Sequence, residues 1–215
     1  ARLLRRAEVD PLTGLLNRRA LQSLSPWELV DARIAVLDID GMRDVNDSLG
    51  HEAGDQLIQL VAARLSDGLR EGDVVARLSG DEFGIIFKRC TDGVAAALAE
   101  DLVGRIEAPC TLQGIPLRIT ACAGIASIGQ DARDVNEALQ LADLALHEAK
   151  DEGVGIVRSY AGVAGARSGE RLRERSALKA AVTARSTSDF LIEYQPIVRQ
   201  ADGSALPAGY DEHTV

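Results

Sequence analysis

Asp38 and Asp40 close the apolar run Arg33 to Asp40 (RIAVLDID), and Asp81 with Glu82 stands in a short connection between two further apolar runs. Residues two apart on an extended strand share a face, so Asp38 and Asp40 project together. Asp81 and Glu82 are adjacent and point to opposite sides, so one of them meets Asp38 if the hairpin pairs beside the first strand. Clustered carboxylates repel one another unless a cation sits among them. Ligands that are all oxygen select Mg²⁺ (or Mn²⁺), which keeps water and substrate phosphate in its remaining positions. Two ions held this way activate an attacking 3′-hydroxyl and stabilise a leaving pyrophosphate. Read without a cation, the same acids are solvated strand ends. Gly80 supplies a backbone that takes positive φ and approaches a phosphate with no Cβ in the way. Read alone, it merely turns the chain.

The elements that must position these residues follow from periodicity. Arg33 to Asp40 reads as a buried strand. Leu57, Leu60, Val61 and Leu65 recur at helical spacing from Gly54 to about Gly68. Asp73 to Leu78 and Phe83 to Phe87 read as strands, with Ser79 to Glu82 as the tight connection of a β-hairpin. An Ala-rich helix is expected from about Asp92 to Ile106. Strands follow around Pro116 to Ile128, interrupted at Gly124, then a helix from Val135 to Lys150 and a strand near Gly155 to Tyr160. Adjacent strands mixed with helices favour an α+β fold over a doubly wound parallel sheet. The opening ARLLRRAEVD looks like the end of a helix broken at Pro11, as if cut from something longer. After Ala161 the composition turns to Gly, Ser and Arg, marking a linker, followed by a charged helix (about Ser168 to Ala184) and a strand-like FLIEYQPIV.

Bulk properties narrow the chemistry. The chain has 215 residues, room for one domain and a fragment. A formal net charge of -9 leaves no broad basic surface, which argues against a general nucleic-acid binder. Cys90, Cys110 and Cys122 have no metal-site spacing and read as buried thiols. No apolar run approaches the roughly 18 residues of a membrane span. A cytoplasmic location is expected, with any membrane anchor belonging to an upstream segment.

Three motifs in order carry a family resemblance. DPLTGLLNRRAL (Asp10 to Leu21), DIDGMRDVNDSLGHEAGD (Asp38 to Asp55) and SGDEF (Ser79 to Phe83) resemble the GGDEF family of diguanylate cyclases from about Asp10 to Tyr160. The resemblance implies a palm-like, mostly antiparallel central sheet flanked by helices, with the signature on a hairpin. It implies that Asp38, the Ile39 carbonyl and Asp81 hold metal, two ions per half-site, and that Asp81, Glu82 and Lys150 serve catalysis. Asn46 and Asp55 would read guanine, whose N1–H and amino group offer a donor pair that adenine lacks. Arg43, Arg77, Ser79 and Gly80 join the substrate-binding set, and Lys150 reaches the triphosphate. Taken singly, Asn46 reads equally as a cap, Asp55 as an N-cap and Lys150 as a solvated end charge. Arg70 and Asp73, five residues before the signature, match the family's inhibitory RxxD motif for cyclic di-GMP. They also read as an ion pair in a helix-to-strand loop. The implied substrate is GTP, and condensing two of them requires a homodimer with the sites face to face.

Two positions depart from the family pattern. Ser79 stands where glycine is usual; its Cβ would crowd a phosphate or strain the turn if φ were positive, at about 1 kcal/mol. Val154 stands where the family has an arginine after its lysine, so one cation of the phosphate cradle is missing. Further on, FLIEYQPIVRQADG (Phe190 to Gly203) resembles the opening of the EAL family of cyclic di-GMP phosphodiesterases, with Ser204-Ala205-Leu206 in place of the signature. The expected organisation is therefore 1–9 the end of an upstream signalling helix, 10–160 the GGDEF domain, 161–188 linker and helix, and 189–215 a truncated EAL start. A cyclase, or a weakly active module that binds nucleotide and regulates a tandem EAL domain, fits this sequence. A scaffold without ligand fits it less well, since clustered acids without a cation destabilise a fold.

Overall fold

β-Branched and aliphatic residues dominate Arg33–Ile39, and six of its seven residues are buried, which places this strand at the centre of a sheet. In a computed structural model, which describes residues 8–161, 198–201 and 204–207, the strands are β1 (Leu16–Asn17), β2 (Arg33–Ile39), β3 (Val74–Ser79), β4 (Glu82–Phe87), β5 (Cys110–Leu112), β6 (Ile115–Leu117), β7 (Ala121–Ser127) and β8 (Val157–Ser159). The helices are α1 (Arg18–Gln22), α2 (Met42–Leu49), α3 (His51–Gly68), α4 (Asp92–Ile106) and α5 (Val135–Glu152). Six strands form one sheet in the order β1-β3-β4-β2-β7-β8. Its four central strands are antiparallel, while β1 and β8 join the edges in parallel. The α+β architecture expected from the sequence is the one found.

Alternation along the strands divides the core into two layers. Ala35, Leu37, Ile39, Phe83, Ile85 and Phe87 face α3 and α4, where Leu57, Val61, Leu65, Leu102 and Ile106 complete one cluster. Ile34, Val36, Ile86, Cys122 and Ala126 face the opposite way, against Ala138, Ala142 and Leu146 of α5. The two layers explain why β2 reads as a continuous apolar run rather than an alternating one: both faces are covered.

Two details differ from the periodicity reading. Gly124 does not interrupt β7, which runs unbroken from Ala121 to Ser127. Its missing side chain instead admits α5, since a Cβ there would lie 2.0 Å from the Ala142 carbonyl oxygen and 2.1 Å from the Leu146 nitrogen. The second difference is that the strand expected from Pro116 breaks after Leu117, giving β6 and β7 separately, and that β5, β1 and α1 are present without a signal in the periodicity. Arg64 of α3 fastens the approach to the β5–β6 hairpin, donating to the carbonyls of Ile106 (2.6 Å), Ala108 (2.7 Å) and Pro109 (3.0 Å).

The entry helix (residues 1–7 of it), the charged helix near 168–184 and most of the C-terminal segment fall outside the described residues. In that segment, Val198–Ala201 and Ser204–Pro207 pair as a separate antiparallel hairpin. Among the described residues no helix is long and apolar enough to cross a membrane.

Candidate active site

The hairpin β3–β4 carries the signature. Gly80 and Asp81 form its two-residue tip, Ser79 and Glu82 are cross-strand partners, and the register shifts between Arg77 and Ser79. Gly80 adopts φ +41°, the left-handed region that glycine enters without a Cβ penalty. Ser79 is not among the positive-φ residues, so the strain anticipated for a serine there does not arise. Arg77 braces the tip from below. Its guanidinium donates twice to the Gly80 carbonyl (2.9 and 2.8 Å) and pairs with Asp10 at 3.2 Å. Burial pushes the Asp10 carboxyl up, but hydrogen bonds from the Thr13 hydroxyl and amide, together with Arg77, outweigh it and leave it below its ordinary value. The family resemblance puts Arg77 in the substrate-binding set; here its guanidinium is committed to positioning the turn.

Asp38 lies opposite Glu82 on one side and Cys122 on the other. The sequence expectation that a hairpin acid meets Asp38 is met in register by Glu82. Asp81 also stands close, because the Ile39 amide donates to the Asp81 carbonyl at 3.4 Å. Asp38 is only 13% exposed and forms an ion pair with Lys150, which projects from the last turn of α5. Burial raises the Asp38 carboxyl above its ordinary range; Lys150 opposes that rise, and the negative charges of Asp81 and Glu82 add to it. A carboxylate that is buried, crowded by two others and relieved by one ammonium is a site that gains from a further cation.

The donor set that the resemblance implies, two carboxylates and the Ile39 carbonyl, is all oxygen. Among the described residues no group of three or more His, Cys, Asp or Glu side chains converges as a metal cage. That combination fits an ion that keeps waters and substrate phosphates, as Mg²⁺ does, and does not fit zinc. Asp40 serves the framework instead. It accepts from the Thr120 hydroxyl (2.8 Å) and the Gly155 amide (3.2 Å), tying the loop after α5 to the end of β2.

On the other side of the tip a cleft of ≈ 400 Å³ opens between the hairpin and α2–α3. Arg43, Asn46, Gly80 and Asp81 are among its walls, over the buried side chains of Met42 and Ile58. Asn46 lies inside α2 and is not a cap; Asp55 lies in the second turn of α3, whose N-cap is Gly50. Asp55 is exposed, on the face of α3 shared by His51 and Ile58, but it is not one of the cleft walls. Gly54 brings the two helices together here. A Cβ on it would fall 2.1 Å from Asn46 Oδ1 and 2.8 Å from Met42 Cε. The family motif by itself assigns Gly54 no role, although a glycine inside a helical pattern signals close packing. Gly54→Ala is expected to displace Asn46, and, where Asn46 reads guanine as the resemblance implies, to raise the KM for a guanine nucleotide about tenfold with kcat less affected, in steady-state kinetics.

Val154 is 67% exposed, and the nearest following arginine, Arg158, is paired with Glu152 instead. At the other motif, Arg70 donates to both oxygens of Asp73 (3.0 and 3.3 Å) and the Lys88 amide donates to Oδ1 at 3.0 Å. Asp73 is 2% exposed while Arg70 is 41% exposed, so of this ion pair only the arginine faces solvent.

A family profile described as "Diguanylate cyclase, GGDEF domain" matches residues 7–155, which span the whole six-stranded sheet apart from its last edge strand. The chain belongs to the GGDEF family. This GGDEF chain is 34% identical over 210 residues to the cyclic di-GMP phosphodiesterase NbdA of Pseudomonas aeruginosa, covering 94% of the chain and 26% of that protein. It is 36% identical over 204 residues to the bifunctional diguanylate cyclase/cyclic di-GMP phosphodiesterase MucR of the same organism, covering 92% and 29%. The chain thus spans under a third of the length of these relatives. Among solved structures, the GGDEF domain of DgcB from Caulobacter crescentus in complex with c-di-GMP superposes with a TM-score of 0.67 at 28% identity, covering 72% of this chain and 93% of that one.

Proposed function

We propose that this GGDEF domain condenses two GTP molecules into cyclic di-GMP with release of pyrophosphate. The observation that carries the reading is the Asp38–Lys150 ion pair at the end of β2, where the Ile39 amide meets the Asp81 carbonyl of the hairpin tip, beside a cleft walled by Arg43, Asn46, Gly80 and Asp81. A divalent ion, generally used by cyclases of this family, would be held by Asp38, Asp81 and the Ile39 carbonyl, and would supply positive charge where the hydroxyl attacks and pyrophosphate leaves. The chain's own contributions are distinct. Asn46, with Asp55 nearby on α3, reads the guanine; Arg43 and Lys150 bear positive charge towards the phosphates; the Gly80 backbone lets a phosphate approach the turn.

Each domain holds one GTP, so turnover requires two copies with facing clefts. Purified protein incubated with GTP and Mg²⁺ should therefore release pyrophosphate and cyclic dinucleotide at a specific rate that climbs with protein concentration. No product across the concentration range, with GTP still bound by calorimetry, rejects catalysis.

That outcome would favour a second reading, a nucleotide-binding module that regulates a neighbouring domain. Val154, at the position of a cradle arginine, supports it. So does the phosphodiesterase name of NbdA, with the likeness of Phe190 to Gly203 to an EAL opening. In either case Arg70 and Asp73 form the candidate site for cyclic di-GMP, with the exposed Arg70 guanidinium meeting the ligand and Asp73 holding that arginine. The protein would act in the cytoplasm, in tandem with an EAL domain.

A further inference from the structure

Ser79 is the first signature residue, and its hydroxyl does something that the glycine usual in the family could not do. It donates to Glu82 Oε2 across the two-residue turn at 2.6 Å, the length of a hydroxyl–carboxylate hydrogen bond. The same oxygen lies 3.9 Å from Arg18 Nη2. Oε2 thus accepts from the Ser79 hydroxyl, with the Arg18 guanidinium at ion-pair distance. Glu82 does not wall the nucleotide cleft. It faces a second, smaller cavity of ≈ 220 Å³ on the α5 side of the sheet, together with Arg18, Gln22, Gln140 and Asp143.

We propose that Ser79 is a positioning residue that locks the Glu82 carboxylate on the α5 side of the hairpin, beside Arg18. The kinetic consequence rests on the cyclase reading; the lock itself does not. Glutamate has three side-chain torsions, and Asp38, directly opposite in register, and Asp81, next in the chain, both repel it. Without a donor, repulsion and rotamer entropy spread Glu82 over several orientations. A neutral hydroxyl at the adjoining cross-strand position selects one of them without adding a charge to a site that must admit triphosphate. The bulk of Ser79 and its hydroxyl make opposite predictions, which separates a crowding serine from a positioning one.

The variants S79A, S79G and S79T test this. S79A keeps the Cβ and removes the donor; S79T keeps both. Under the positioning role, S79A and S79G lower kcat by about tenfold, as expected for one lost hydrogen bond to a charged group, with the GTP KM within twofold of wild type, and S79T restores kcat. Under crowding alone, S79A would match wild type and S79G would exceed it. A second measurement needs no turnover. In nucleotide-free protein, the ¹³C carboxyl resonance of Glu82, assigned by its loss in E82Q, should move in S79A and S79G and hold its place in S79T. An unmoved resonance in S79A overturns the proposal, and so does S79A turnover equal to that of an active wild type. A resonance that moves as expected in a protein that makes no product from GTP upholds the lock and rejects the cyclase reading.

Discussion

Asp81→Ala is expected to reduce cyclic dinucleotide formation about a thousandfold while leaving the fold intact. Asp81 is the acid at the hairpin tip that faces the cleft, whereas Glu82 turns to the α5 side. Its removal leaves Asp38, itself paired with Lys150, as the single carboxylate of the proposed donor set. The backbone contact that joins the tip to β2 uses the Asp81 carbonyl and the Ile39 amide, so it survives the substitution. Arg77 holds the tip through the Gly80 carbonyl, which also survives. The melting temperature should then stay within a few degrees of wild type. Residual turnover near the wild-type rate, measured by pyrophosphate release, would move the catalytic role elsewhere.

The second large effect is on stability. Gly124→Ala would place a methyl group against three backbone atoms of α5: Ala142 O at 2.0 Å, Leu146 N at 2.1 Å and Ala145 C at 2.8 Å. No rotamer change relieves a clash with backbone. Either β7 leaves its pairing with β2 and β8, or α5 lifts from a face where Ala142, Ala145 and Ala149 are at most 1% exposed. Overpacking on this scale should cost about 3 kcal/mol, which for a domain of this size is a drop of roughly 10 °C in Tm. Because Lys150 rides on the last turn of the same helix, activity should fall even in the surviving folded fraction. Gly104→Ala is the matched control. Gly104 is exposed in α4 with open space around its Cβ, so the change should stabilise by about 1 kcal/mol through helix propensity alone. Equal melting temperatures for the two variants would refute the packing argument.

Gly124 also marks where sequence reading loses its grip. A glycine among strand formers reads as a break when only local propensity is considered. Its cause lies in a helix that begins eleven residues later and returns over the strand, and period-two alternation carries no trace of that. The strands β2, β3 and β4 and the helices α3, α4 and α5 are legible because each buries a face whose period survives in the sequence. β1, α1 and the β5–β6 hairpin strands are two to five residues long, too short to express a period. At the site, the acids, Asn46 and Lys150 can be named from motifs and strand geometry. The contacts that hold them cannot, since Arg77 to Asp10 spans 67 residues and Lys150 to Asp38 spans 112. Ser79 is the clearest case. Judged by volume it is an intrusion; judged by its hydroxyl it is a donor, and only the cross-strand pairing with Glu82 decides between them.

The two outermost strands of the main sheet contain two and three residues. The chain before β1 covers one of these edges, the Asn17 amide donating to the Glu8 carbonyl (2.9 Å) and the Asp10 amide to the Leu15 carbonyl (2.8 Å), so among the described residues the sheet offers little unpaired backbone for a neighbouring chain to zip onto. Encounters between copies of this sheet would then run through side-chain surfaces, so self-association through it should respond to dilution instead of progressing to fibres.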